Sequence, residues 1–251
     1  RGTGCTGEAY IFNNHLLYSK WIDDIGDSQN EQGIISDVSP NYYSLYNDDV
    51  TWPSAWFTAA NMVYRQYGDP RPIIRHYNGM KKWMNAIFDK TAKNYIIRHD
   101  TFGDWCMPPE SPEMIHSKDP SRITEGALLS TSFYYNLSRI MAQFAAIAGH
   151  EEDIATWNER AEKVKDAFNK TFFSADNGYY SNNTVTANIL PLFFGMVPKE
   201  HQENVFRNIV EKTTGEFKSH VSTGVIGIQQ LMRALTDNGR GDLAWTIATN
   251  T

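Results

Sequence analysis

Apolar residues recur at three- and four-residue spacing along most of this chain, the period of a helix that buries one face. Ile140, Met141, Phe144, Ile147 and Ala148 display it within one stretch. The pattern predicts nine helices, over roughly 9–27, 54–67, 71–89, 124–149, 151–171, 185–195, 200–214, 223–237 and 240–250. No run alternates apolar and polar residues well enough to predict a strand.

The connections between these helices carry a second pattern. Four are short and built around a glycine: Tyr67-Gly68-Asp69-Pro70, Ala148-Gly149-His150-Glu151, Phe194 to Pro198 around Gly195, and Asp237-Asn238-Gly239-Arg240. Glycine accepts the left-handed backbone that closes a helix, and a following Pro or acid suits the next helix start. Between them lie long connections over roughly 28–53, 90–123, 172–184 and 215–222. Antiparallel helices place successive connections at opposite ends, so short and long turns separate onto two faces. Stacked hairpins of this kind build a solenoid or a closed ring. Six of them make an (α/α)6 six-hairpin toroid, of which nine helices would be an incomplete part. An open helical-repeat scaffold is the competing architecture, but repeats hold a nearly fixed period. Here the turn glycines are 81, 46 and 44 residues apart. Residues 1–251 are therefore expected to be a single all-α helical-barrel module. Its first seven residues read as the middle of a loop and its last ten as an unfinished helix, so a piece of something longer is expected.

Charge and composition narrow the partners. The formal net charge is −6, which argues against a nucleic-acid or anionic-membrane surface. No apolar run approaches the ~18 residues of a membrane span. The two cysteines, Cys5 and Cys106, form neither a disulfide framework nor a zinc spacing. The histidines have no metal-binding spacing, and no nucleophile elbow or phosphate loop occurs, so neither a metal nor a cofactor is expected. The compartment stays open between the periplasm, the exterior and elsewhere. Seven Trp and thirteen Tyr matter more, because flat rings pack on the C–H faces of sugars as well as filling cores.

Two long loops concentrate these rings beside acids. The segment Asn41 to Trp56 holds Tyr42, Tyr43, Tyr46, Asp48, Asp49 and Trp52; the segment His99 to Glu110 holds Gly103, Asp104 and Trp105. Rings to stack and carboxylates to accept hydroxyl protons suit a polyol. A loop pinned on the rim by its aromatics is the plainer reading of the first, and a turn with Trp105 plugging the core that of the second. Asp23-Asp24-Ile25-Gly26-Asp27 imitates a metal–diphosphate motif, but Gly26 is expected to break the helix such a motif needs. Asp48, Asp49, Asp104, Glu110 and Glu113 all lie in suitable loops for glycoside chemistry, yet no spacing selects an acid–base pair.

In order along the chain, Gly7 to Trp21 (GEAYIFNNHLLYSKW), Gly103-Asp104-Trp105, Ser130 to Tyr135 (STSFYY), Thr186-Ala187-Asn188 before Phe194 to Pro198, and His220 to Gly224 (HVSTG) before Asp242-Leu243-Ala244 resemble glycoside hydrolase family 78. The resemblance implies a bacterial α-L-rhamnosidase: an (α/α)6 barrel that hydrolyses α-L-rhamnosides with inversion and needs no organic cofactor. It implies that Trp52 and Trp105 line the rhamnose pocket, that Tyr46 lies near a matching tyrosine, and that Asp104 accepts a sugar hydroxyl. Asp49, in the ring-rich loop beside Trp52, is a further candidate for the site, and the partner that the resemblance implies is a rhamnose-containing glycoside or polysaccharide. Trp52-Pro53-Ser54-Ala55 stands where the family often has Trp-Gly-Asp-Ala, and Cys106 where it has Leu. The family's general acid and base fall in segments outside residues 1–251, so no catalytic residue is assigned and the chain alone is expected to be inactive. Another six-hairpin glycosidase, such as a glucuronyl hydrolase, would want a basic cluster that the long loops lack before Arg98.

Overall fold

The structure, a computed structural model, describes residues 4–111 and 113–250. The chain divides into two compact units, residues 1–101 with 133–164 and residues 102–132 with 165–251.

The first unit contains α1 (Cys5–Glu8), α2 (His15–Asp27), α3 (Ala55–Tyr67) and α4 (Arg71–Thr91), and a hairpin of β1 (Ala92–Lys93) and β2 (Ile96–Ile97). It also takes the later part of α5 (Gly126–Ala148) and the earlier part of α6 (Glu151–Phe172). Gly68 ends α3 in the left-handed conformation, and Pro70 and Pro72 open α4, as the short-turn chemistry anticipates. Helices α2, α3 and α4 pack mutually. A Cβ on Gly26 would come within 2.7 Å of the His76 ring, and one on Gly79 within 2.8 Å of the Trp56 ring. Gly26 thus lets α2 close on α4, and Gly79 lets α4 close on α3. Trp56, Phe57, Tyr77, Trp83, Tyr134 and Trp157 are buried. Several of their polar atoms are bonded inside, as buried donors require: Trp56 Nε1 donates to Ile22 O at 3.1 Å, Tyr134 Oη to Met84 O at 2.9 Å, and Trp157 Nε1 to Tyr77 Oη at 3.1 Å.

The second unit starts with a long loop from Phe102 that contains one 3-10 turn, Pro120–Arg122, and takes the remaining parts of α5 and α6. It continues with a hairpin of β3 (Phe173–Ser174) and β4 (Tyr179–Tyr180), then α7 (Val185–Phe193), α8 (Gln202–Thr214), α9 (Ile228–Asp237) and α10 (Gly241–Thr249). Helix α7 is buried from Val185 to Pro191 and packs on α8 and α9. Thr184 caps it, accepting from Ala187 N at 3.1 Å, and Asn188 Oδ1 accepts from Tyr180 N at 3.0 Å.

Among the described residues ten helices thus stand where nine were expected, and the fold there is all-α apart from two short hairpins. The segment 9–27 is not one helix. Residues 5–8 form α1 and helix resumes only at His15, after Asn14, whose N–H and side chain are tied to the Tyr67 hydroxyl. The expected loop over residues 1–7 is likewise corrected from Cys5 onward; residues 1–3 lie outside the described ones. Gly26 does not break α2, which runs through Asp27. Asp23 pairs with Arg75 and His76, and Asp24 with Lys20, so the imitation motif is occupied by neighbours. No helix of the described residues is long and apolar enough to cross a membrane.

Candidate functional site

The ring- and acid-rich loops named above fall in different units. Tyr46, Asp49 and Trp52 belong to the first, Asp104 and Trp105 to the second.

In the first unit the loop before α3 folds upon itself. Asp37 N donates to Leu45 O at 2.9 Å, and Ser36 Oγ donates to Asn41 Oδ1 at 2.9 Å. Tyr46 Oη donates to Ser28 O and accepts from Asn41 Nδ2, both at 2.7 Å. The hydroxyl is therefore committed to the loop, and what Tyr46 offers is its ring, 37% exposed. Asp48 pairs with Lys90 at 2.8 Å. Tyr42 and Tyr43 are exposed and meet edge to face. Trp52 is half-buried at the foot of α3.

Asp49 is fully buried. Its Oδ1 accepts from Thr101 N at 2.6 Å, but its Oδ2 accepts no hydrogen bond from the described residues. Burial, and then the charge of Asp100, push its pKa up to about 7. Asp100 accepts from Thr51 Oγ1 at 3.2 Å. A buried carboxyl with one unfilled oxygen and a pKa near neutrality can accept from a ligand hydroxyl, or donate to it when protonated.

In the second unit the turn Gly103-Asp104-Trp105-Cys106 is tight, with φ of 63° at Gly103 and 60° at Cys106. Trp105 is 53% exposed, which rules out the core-plug reading. Its carbonyl accepts from Val225 N at 2.8 Å. Asp104 Oδ2 accepts from Thr186 Oγ1 and from Gly224 N, the latter at 2.8 Å; its Oδ1 accepts from Ile226 N at 2.8 Å and Gly227 N at 3.1 Å. Burial pushes the Asp104 carboxyl up, against the pull of these four donors toward the anion. Glu110 accepts from Ser117 Oγ, with Arg122 3.9 Å away, and Glu113 is exposed. Sequence reasoning did not single out Thr186, Gly224 or Asp100 as members of these clusters. The segments that contain Thr186 and Gly224 carried the resemblance but had no role attached to them.

Among the described residues, His150, Glu152 and Asp153 bring three metal-ligand atoms within 4.8 Å of one another. Lys81 Nζ lies 2.7 Å from both Asp153 oxygens, so an ammonium already holds the strongest ligand of that group.

The profile of the bacterial alpha-L-rhamnosidase 6 hairpin glycosidase domain matches residues 3–251. An alpha-L-rhamnosidase of Formosa agariphila is 28% identical across 98% of this chain, and one of Streptomyces avermitilis 24% identical across 95%. The chain spans only 27% and 22% of those two relatives. Among solved structures, an alpha-L-rhamnosidase from Dictyoglumus thermophilum superposes with a TM-score of 0.88 at 32% identity, over 100% of this chain and 28% of that one. The Streptomyces avermitilis enzyme complexed with L-rhamnose gives 0.86 at 23% identity, over 98% of this chain and 22% of that one.

Proposed function

We propose, from the premise that this chain belongs to the family of bacterial α-L-rhamnosidase six-hairpin glycosidase domains, that the protein carrying it hydrolyses terminal α-L-rhamnosides. The observation that carries the reading is the family match over residues 3–251, joined to a TM-score of 0.88 at 32% identity with a solved alpha-L-rhamnosidase. Residues 1–251 are read as one piece of a catalytic module. The expected substrate is a rhamnose-containing glycoside or polysaccharide, with no nucleic acid or membrane as partner and no cofactor.

Hydrolysis of this kind needs one carboxylic acid to protonate the leaving oxygen and one carboxylate to activate water. In an inverting enzyme they stand roughly 6.5–9.5 Å apart. We assign neither within this chain. Its contribution is to sugar binding: Trp52 and Trp105 give stacking faces, Tyr46 a ring edge, and the Asp49 carboxyl a hydroxyl partner through its unfilled Oδ2. The half-exposed Trp105 and the partly exposed Tyr46 ring support the stacking roles.

The test is steady-state release of the aryl group from aryl α-L-rhamnoside, α-D-glucoside and uronide substrates by the intact protein. Proton NMR would follow the first anomer formed. Turnover confined to the rhamnoside, with the opposite anomer appearing first, is the expected result. Turnover of the uronide alone would replace this reading with the glucuronyl hydrolase one.

A further inference from the structure

Asp104 was expected to accept a sugar hydroxyl, but its lone pairs are already taken. An ionised carboxylate offers about four acceptor sites. Thr186 Oγ1, Gly224 N, Ile226 N and Gly227 N fill them. The donors lie between 82 and 123 residues away in sequence. They join three segments: the Asp104 turn, the buried start of α7, and the approach to α9. Gly227 is the N-cap of α9 and brings no side-chain cap. Asp104 provides from a distant loop the negative oxygen that a helix start favours.

The backbone around this carboxylate is close enough to demand glycine. A Cβ on Gly224 would stand 2.2 Å from Asp104 O and 2.5 Å from Trp105 O; one on Gly227 would stand 2.5 Å from Thr186 Oγ1. Val225 N donates to Trp105 O at 2.8 Å and completes the fastening. The turn itself includes Cys106 at φ 60°, a backbone conformation that costs a non-glycine residue energy and persists where surroundings fix it. The Asp104 carboxylate and the Val225 N–H thus fasten this turn to the same short segment, residues 224–227.

We propose that Asp104 is a positioning residue of the rhamnoside site: it sets the Trp105 indole by fastening the Gly103–Trp105 turn to Thr186 and to residues 224–227, and it touches no sugar. This rests on the reading that Trp105 stacks on the substrate. A group acting through Trp105 must lose its effect on binding once Trp105 is gone, whereas a group that bonds the sugar keeps its own effect.

The experiment is a double-mutant cycle on the intact protein, measured as the L-rhamnose dissociation constant by calorimetry, with melting temperature recorded without sugar. Trp105→Ala and Asp104→Asn should each weaken rhamnose about tenfold, and the double variant should bind no more weakly than Trp105→Ala alone. Thr186→Val removes one donor, leaves the carboxylate in place, and should weaken rhamnose in the same direction. A further tenfold loss in the double variant, with Thr186→Val like wild type, would make Asp104 a direct sugar ligand and overturn the proposal. A lowered melting temperature with unchanged dissociation constants would make it a fold residue only, and would also overturn it. If Trp105→Ala binds like wild type, the stacking reading is what fails, and this proposal falls with it. Should Asp104→Asn not fold, the same cycle with Thr186→Val decides.

Discussion

Two aspartates, one in each unit, invite comparison: Asp49 is fully closed to solvent and Asp104 partly open, and their partners differ more than that. Asp104 sits among four donors, three of them backbone N–H groups. Asp49 receives one backbone N–H, lies near the charge of Asp100, and keeps one oxygen without a donor. Both carboxyls are raised by burial, so burial alone does not separate them. The count of filled lone pairs does. A saturated carboxylate holds chain segments together, while an unsaturated one is a place for a proton or a hydroxyl.

The contrast breaks most visibly at Asp104. Asp104→Ala leaves three backbone N–H groups and a threonine hydroxyl without their acceptor, at about 1–3 kcal/mol for each group that stays dry. A loss of at least about 3 kcal/mol is expected, roughly 6–12 °C in melting temperature for a chain of this size. Gly224→Ala should do comparable damage, because its methyl group would overlap the Asp104 and Trp105 carbonyls. Thermal unfolding of both variants checks this, and a change within 1 °C would contradict the four-donor account.

Asp49 should reveal itself through pH instead. Its folded pKa, about 7, lies above the ordinary carboxylate value, so the native state holds this proton more tightly than the unfolded state does. Stability therefore falls as pH rises from about 4 to about 7, and levels off above that. Asp49→Asn removes the ionisation. Near pH 5 the two proteins should melt alike, apart from a constant offset, and by pH 7.5 wild type should have lost on the order of 2 kcal/mol relative to the variant. Parallel melting curves across that range would mean that Asp49 ionises freely in the fold.

The helical part of this fold was legible because amphipathic periodicity is local. The observed α5 and α6 fall within two residues of their expected limits. What escaped had identifiable physical causes. The hairpins after α4 and α6 have two-residue strands, too short for any alternation to register. The second still carries a readable turn signal in Asn177-Gly178, with Gly178 at φ 69°. The first turns through Asn94 and Tyr95, both at positive φ, and a tyrosine gives no hint of that. Helix α9 was expected from residue 223 and starts at Ile228, because Gly224, Val225, Ile226 and Gly227 spend their N–H groups on Asp104 and Trp105. Those partners lie more than a hundred residues away, beyond the reach of any local pattern. The same distance hid the donors around Asp104: its residue type and loop suggested a sugar ligand, and the four donors appear only in the assembled structure.

The central claim, that this chain supplies stacking faces for a rhamnose ring, is tested most directly by calorimetric titration of L-rhamnose into the intact protein and its Trp52→Ala and Trp105→Ala variants. Loss of a stacking face removes about 1–2 kcal/mol, around tenfold in affinity. Each variant should show that weakening while its sugar-free melting temperature stays within a few degrees of wild type. Rhamnose binding at wild-type affinity in both variants would contradict the account.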